Sequence, residues 1–137
     1  MDRFARWFII MSIFYLVAAA VLGIVMLHSE KAMTLKFVHS HLNLLGWVSM
    51  MIYGVGYHIL PRFMGRPVYS KALGDVQFWA ANVGLIVMLL FYTLNVYSPS
   101  SGYVTLSVAG GVLELISIIL FFYNMLKTLL PAAPQVH

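Results

Sequence analysis

The chain of 137 residues contains no cysteine. That absence excludes disulfides, thiolate metal sites and heme attached through cysteine, and it leaves the redox compartment open. Charge is nearly as scarce, with only 9% of residues charged and four of them acidic. A soluble domain of this size needs polar side chains over most of its surface, whereas a lipid-embedded one does not. The eight basic residues are scattered between apolar runs and form no patch, so nucleic acid is not an expected partner. What the chain has in quantity is apolar surface, 62% of its residues, and the lipid bilayer is the partner this implies.

Crossing a bilayer takes ~20 apolar residues. Four segments qualify, about 7–27, 37–60, 76–97 and 103–130, and they predict an all-α, four-helix transmembrane bundle. Residues 1–130 are read as one domain and 131–137, rich in Pro and Ala, as a flexible tail. Arg3, Arg6, Arg62, Arg66, Lys71 and Lys127 fall on one side of such a bundle; Lys31 and Lys36 fall on the other. By the positive-inside rule both termini face the cytoplasm, and a bacterial inner membrane is the expected location. Arg3, Arg6, an apolar run and Ala18-Ala19-Ala20 imitate a cleavable signal peptide, but the run is longer than such peptides use, which favours a retained helix.

The least lipid-like part of any span is Val38-His39-Ser40-His41-Leu42-Asn43-Leu44-Leu45-Gly46-Trp47. Ionisable residues in a span face a bundle interior or a cofactor more often than lipid. At about 100° per residue His39 and His41 point to nearly opposite sides of a regular helix. The His39 face continues through Asn43, Gly46, Met50, Tyr53 or Gly54, and Tyr57; the His41 face continues through Leu44 or Leu45, Val48, Ile52 and Ile59. On that pattern His39 is expected to face the interior and to be the better ligand, with small residues admitting a flat macrocycle or a neighbouring helix. His28, ending the first span, is expected at the level of His39 and His41 as a partner across helices, or else as an interfacial histidine. His58 lies 19 residues, about 28 Å, from His39 and is read as interfacial or as part of a second site. The nine methionines read chiefly as packing residues. Glu114, the one carboxylate inside a span, must be neutral or paired, serving proton handling, support of the histidines, or a bond between helices.

The run from His39 to Gly65 resembles the second transmembrane helix and following loop of heme–copper oxidase subunit I, through His39, Gly54, Pro61 and Gly65 at gapless spacing. Arg6-Trp7 with Gly23, Asp75 and Phe78-Trp79 with Gly84, and Ala109-Gly110-Gly111 with Phe121-Phe122-Tyr123-Asn124 extend the resemblance weakly over the other helices. The His-x-His, Gly46, Gly54, Pro61 and Gly65 pattern is also similar to the NnrS family of heme- and copper-containing membrane proteins. Small bacterial membrane proteins carry a similar His-x-His-Leu-Asn-Leu-Leu-Gly-Trp run. The oxidases have further helices that carry the second axial ligand and the copper-site histidines, so oxygen reduction and proton pumping do not transfer. The resemblance implies one half of a low-spin heme site, with His39 as axial ligand and His41 as competitor.

The resulting expectation is a heme b-binding, cytochrome b-like membrane protein engaged in electron transfer or in binding nitric oxide or oxygen. The second ligand would come from His28, His41, another protomer or nowhere, and a homo-oligomer or larger respiratory-type complex follows. Cofactor-binding candidates are His39, His41, His28, Asn43, Gly46 and Met50; metal candidates are His39 and His41. One alternative is a copper-binding protein using His39, His41 and Met50 or Met51. Another is a cofactor-free assembly subunit. No acid, base and nucleophile converge in the sequence, so no catalytic residue is assigned.

Overall fold

The computed structural model describes residues 1–130; the expected tail lies outside the described residues. Four helices follow one another: α1 (Arg3–His28), α2 (Glu30–Phe63), α3 (Lys71–Tyr97) and α4 (Ser101–Leu129). Each is long and apolar enough to cross a membrane, and there is no strand among the described residues. The 26 residues of α1 rise about 39 Å, more than the ~30 Å hydrocarbon core. The outward surface is apolar, with Phe14, Ile24, Leu44, Ile52, Val108 and Ile119 all more than half exposed, as a lipid-facing surface requires.

Small residues decide how closely the helices approach. A Cβ on Gly54 would fall 2.8 Å from the carbonyl oxygen of Ala5, so α1 and α2 meet backbone to backbone there. Gly84 and Gly110 do the same for α3 and α4: a Cβ on Gly84 would lie 2.8 Å from the amide nitrogen of Glu114, and one on Gly110 would collide with the amide nitrogen of Met88. Between these contacts, aromatic rings from all four helices fill the core. Phe8 meets Tyr53 and Phe78 edge-on at 5.4 and 5.1 Å, and Phe121 closes on Tyr53 and Tyr57 at 4.6 and 5.3 Å.

The end of α2 is fixed by its sequence. Gly65 adopts φ +64°, a left-handed conformation that glycine takes without a Cβ clash. Its N–H donates to Arg62 O at 3.0 Å, and the N–H of Arg66 donates to Pro61 O at 3.1 Å, the paired bonds of a Schellman cap. The loop then returns to Ser70, whose Oγ accepts from Leu73 N at 3.2 Å and caps α3. Asn124 of α4 holds that corner on both sides, accepting from Ser70 N at 3.0 Å and donating to Ser70 O at 2.8 Å.

The spans expected from hydropathy are all present, but α2 departs from them in two ways. It begins at Glu30 with a 3₁₀ segment, Glu30–Leu35, where a loop was expected. It also contains a π-helical segment, Leu42–Ser49, directly after the His39–His41 pair. Ser49 Oγ donates to Leu44 O, five residues back, at 2.8 Å, in keeping with the wider turn. A π-helix bonds i to i+5 and is rare beyond one turn. The wider turn moves the buried line of α2 by one residue. It runs through Met50 and Gly46 to Val38, whereas 3.6-residue periodicity from Met50 leads to His39.

Candidate functional site

His39 is half-buried beside that line and packs against α1. Its Nδ1 lies 3.0 Å from the carbonyl oxygen of Ala19. A carbonyl only accepts, so Nδ1 carries the proton and donates, and Nε2 is left with its lone pair. Asn43, one turn on, donates to the His39 carbonyl at 2.9 Å and reaches Nε2 at a long 3.4 Å. Gly23 makes room for the ring: a Cβ there would sit 3.0 Å from His39 Cε1. The imidazole is thus lodged in a notch on α1, with its tautomer set by a second helix.

His41 is held differently. Its Nδ1 donates to Phe37 O of its own helix at 2.9 Å, and its ring lies on that of Phe37 with centroids 3.9 Å apart. Phe37 in turn stacks on Tyr92 of α3 at 4.3 Å. The two histidines therefore engage different neighbours, His39 on α1 and His41 on the α3 side.

The other expected site residues are not gathered around them. His28 is exposed at the end of α1, five residues beyond Gly23 and nine beyond Ala19. That is about 8 to 14 Å further along the axis than the point where His39 touches α1, so the three histidines are not at one level. The shift arises because the chain turns into a helix at Glu30 and descends before reaching His39. Gly46 seats closely against a neighbouring helix: a Cβ there would meet Tyr15 at 2.8 Å. Met50 is fully buried in the core, and Met51 Sδ accepts from Ser12 Oγ of α1 at 3.9 Å. Among the described residues no three His, Cys, Asp or Glu side chains stand close enough to hold a metal ion. His58 Nε2 accepts from Arg62 Nη1 at 3.0 Å at the far end of α2.

Sequence reading missed a polar seam through the core. Tyr15 donates to Asn82 Oδ1 at 2.9 Å, joining α1 to α3. Ser117 donates to Gln77 O at a long 3.4 Å, joining α4 to α3. Gln77 and Glu114 are buried, and among the described residues neither side-chain terminus has a hydrogen-bond partner. Gln77 and Asn82 in an apolar span carried this signal, which a search confined to histidines and carboxylates passes over.

With this geometry in view, comparison with known proteins is informative. No family model matches the chain, and no solved structure does. Curated proteins match part of it, among them the following three. A cbb3-type cytochrome c oxidase subunit CcoN1 from Stutzerimonas stutzeri is 34% identical over 58 residues, 42% of this chain. A cytochrome c oxidase subunit 1 homolog from Agrobacterium tumefaciens and a cytochrome c oxidase subunit 1 from Rhodobacter capsulatus are each 38% identical over 50 residues, 36% of the chain. This chain is similar to cytochrome c oxidase subunit 1. The similarity is partial, covering 12%, 9% and 9% of those proteins' own lengths. Together with the four long apolar helices it makes the chain a multi-pass membrane protein related in part to a respiratory oxidase subunit.

Proposed function

We propose that the chain is a heme b-binding membrane protein in which His39 supplies one axial ligand through Nε2. The observation carrying this reading is the state of that ring. Histidines that bind metals characteristically donate their other ring N–H to a carbonyl or carboxylate, which fixes the tautomer and raises the basicity of the ligating nitrogen. His39 has that bond to Ala19 O, and only the 3.4 Å contact with Asn43 stands at Nε2. The donor set fits one axial position of a heme iron.

When bound, heme supplies one-electron chemistry or an iron to which a diatomic gas can bind. The chain's own residues would do the rest. Ala19 O orients the imidazole, Gly23 lets it approach α1, and Asn43 offers an N–H beside the ligating nitrogen. His41 stacks on Phe37 and His28 is exposed at the end of α1, so neither shares the His39 notch. A second ligand would come from another chain, in a homo-oligomer or a larger respiratory complex; without one, the heme would be free to bind nitric oxide, oxygen or carbon monoxide. The bacterial cytoplasmic membrane is the proposed location, with both termini inside.

The test is the optical spectrum of protein produced with ample heme. A Soret band with sharp reduced α and β bands is expected, lost in His39→Ala and retained in His41→Ala. Absence of the band in the wild-type protein, or its survival in both variants, overturns the reading. Loss in His41→Ala alone moves the ligand to His41.

A further inference from the structure

The end of the bundle opposite His39 holds a second built feature. A polar cavity of about 170 Å³ lies where the start of α1, the end of α2 and the start of α3 converge. Arg62, Arg66 and Lys71 line it, against a single acid, Asp2. Asp2 is already engaged, its Oδ1 2.9 Å from Lys71 Nζ. The hydrogen-bond balance is equally one-sided. Arg62 donates one N–H to His58 Nε2 at 3.0 Å, which leaves the His58 Nδ1–H as a further donor. Arg66 donates one N–H to Leu130 O at 2.9 Å. A guanidinium has five N–H groups, so most of the donors of both arginines remain available.

The cavity is also held in shape. The Schellman cap at Gly65 turns the chain so that Arg66 follows Arg62 around one corner. Beyond it, Tyr69 N donates to Thr128 Oγ1 at 2.9 Å and Ser70 is held by Asn124, fixing the loop to α4. The remaining walls include Tyr57, Pro61 and Val68, all buried. Next in the chain to the lining residues Arg62 and Val68, Phe63 and Tyr69 are exposed, 81% and 54%, as aromatics at a membrane interface are.

We propose that this pocket binds a phosphate group, that of an anionic phospholipid, through Arg62, Arg66 and Lys71. Several donors facing few acceptors call for an anion with several oxygens, and arginine forks match phosphate in pairs. The exposed aromatics next to the lining residues, at the end of membrane-spanning helices, favour a phosphate that carries acyl chains over a free one. Basic pockets between helices on the cytoplasmic side bind such headgroups by the same physics. The site is independent of the heme reading, since it lies at the other end of α2 and shares no residue with it.

The experiment uses the full chain, purified in detergent and stripped of lipid, with native mass spectrometry reading retained lipid from equal mixtures of phosphatidylglycerol and phosphatidylcholine. Preferential retention of phosphatidylglycerol is expected, weakened about tenfold by Arg62→Gln and again by Arg66→Gln. Asp2→Asn should strengthen retention, because it removes the acid that competes for Lys71; a merely structural role for these residues predicts no gain. If the arginine variants do not fold, Lys71→Gln, a largely exposed position, and Asp2→Asn carry the test. Inorganic phosphate is the second probe. Full competition by it at matched concentration keeps the anion site but makes free phosphate its occupant. Equal retention of the two lipids with no effect of inorganic phosphate, or retention unmoved by every variant, overturns the proposal.

Discussion

Gly23 is the residue on which the His39 notch depends. A valine there would push its methyls further than the Cβ that already reaches 3.0 Å from the imidazole, and the ring would leave Ala19 O. Gly23→Val is therefore expected to lower heme retention several-fold while the helical circular dichroism is unchanged; full retention would separate the ligand from the notch. Glu114 is the converse case, a residue whose chemistry the fold does not satisfy. Both carboxyl oxygens are buried without partners, which is costly in an apolar interior. Glu114→Leu, of similar volume, is expected to raise the unfolding free energy by about 1–3 kcal/mol in detergent. A loss of stability would mean that the carboxyl is hydrogen-bonded to something, such as an internal water shared with Gln77. At this scale the sequence exposed the unusual residues, because a histidine or glutamate inside a span stands out by its cost. It could not show their partners: Ala19 O and Gly23 are unremarkable in a run of small apolar residues, and they meet His39 only once two helices pack.

Among the elements, α2 is where sequence reasoning was both most and least effective. The cap at Gly65 and the end of the helix at Pro61–Phe63 are local matters, and a Pro followed by Gly announces them. The π segment is not local in this sense. Nothing in Leu42–Ser49 forbids an α-helix, and within it Gly46 seats against Tyr15 and Leu85 of other helices. A regular period therefore carried the buried line onto His39 and Asn43 when it passes through Val38. The contact of α3 with α4 is more predictable, since Gly84 and Gly110 lie where the two backbones touch. Gly110→Val places side-chain atoms on Met88 and Gly84 backbone, and a loss of about 1–3 kcal/mol or more is expected in thermal or denaturant unfolding. Asn124→Ala removes the bonds to Ser70 N and O from a buried site, with about 1–3 kcal/mol expected. Additive losses in the double variant would mean that the interface and the corner act independently; strong coupling would mean that α4 docks as one unit.

For the molecule as a whole, four apolar runs separated by short connections were enough to give the helix count, because lipid leaves a backbone almost no alternative. Charge gives a statement about the whole that hydropathy cannot. Arg3, Arg6, Arg62, Arg66, Lys71 and Lys127 gather at one end of the bundle, and only Lys31 and Lys36 stand at the other. Each basic residue near a span resists translocation, so six against two predicts that the end with the phosphate pocket stays in the cytoplasm. A reporter enzyme active only outside the cytoplasm, inserted in the turn at Ser100, should be active, and the same reporter inserted after Gly65 should be silent. Neutralising Arg3, Arg6, Arg62, Arg66 and Lys71 to glutamine leaves Lys127 against Lys31 and Lys36, so the bias is lost and both insertions should give intermediate activity. A silent reporter at Ser100 in the wild-type chain would invert the molecule. It would put the His39 notch near the cytoplasmic surface, where the second chain proposed to complete the heme site would have to approach from that side.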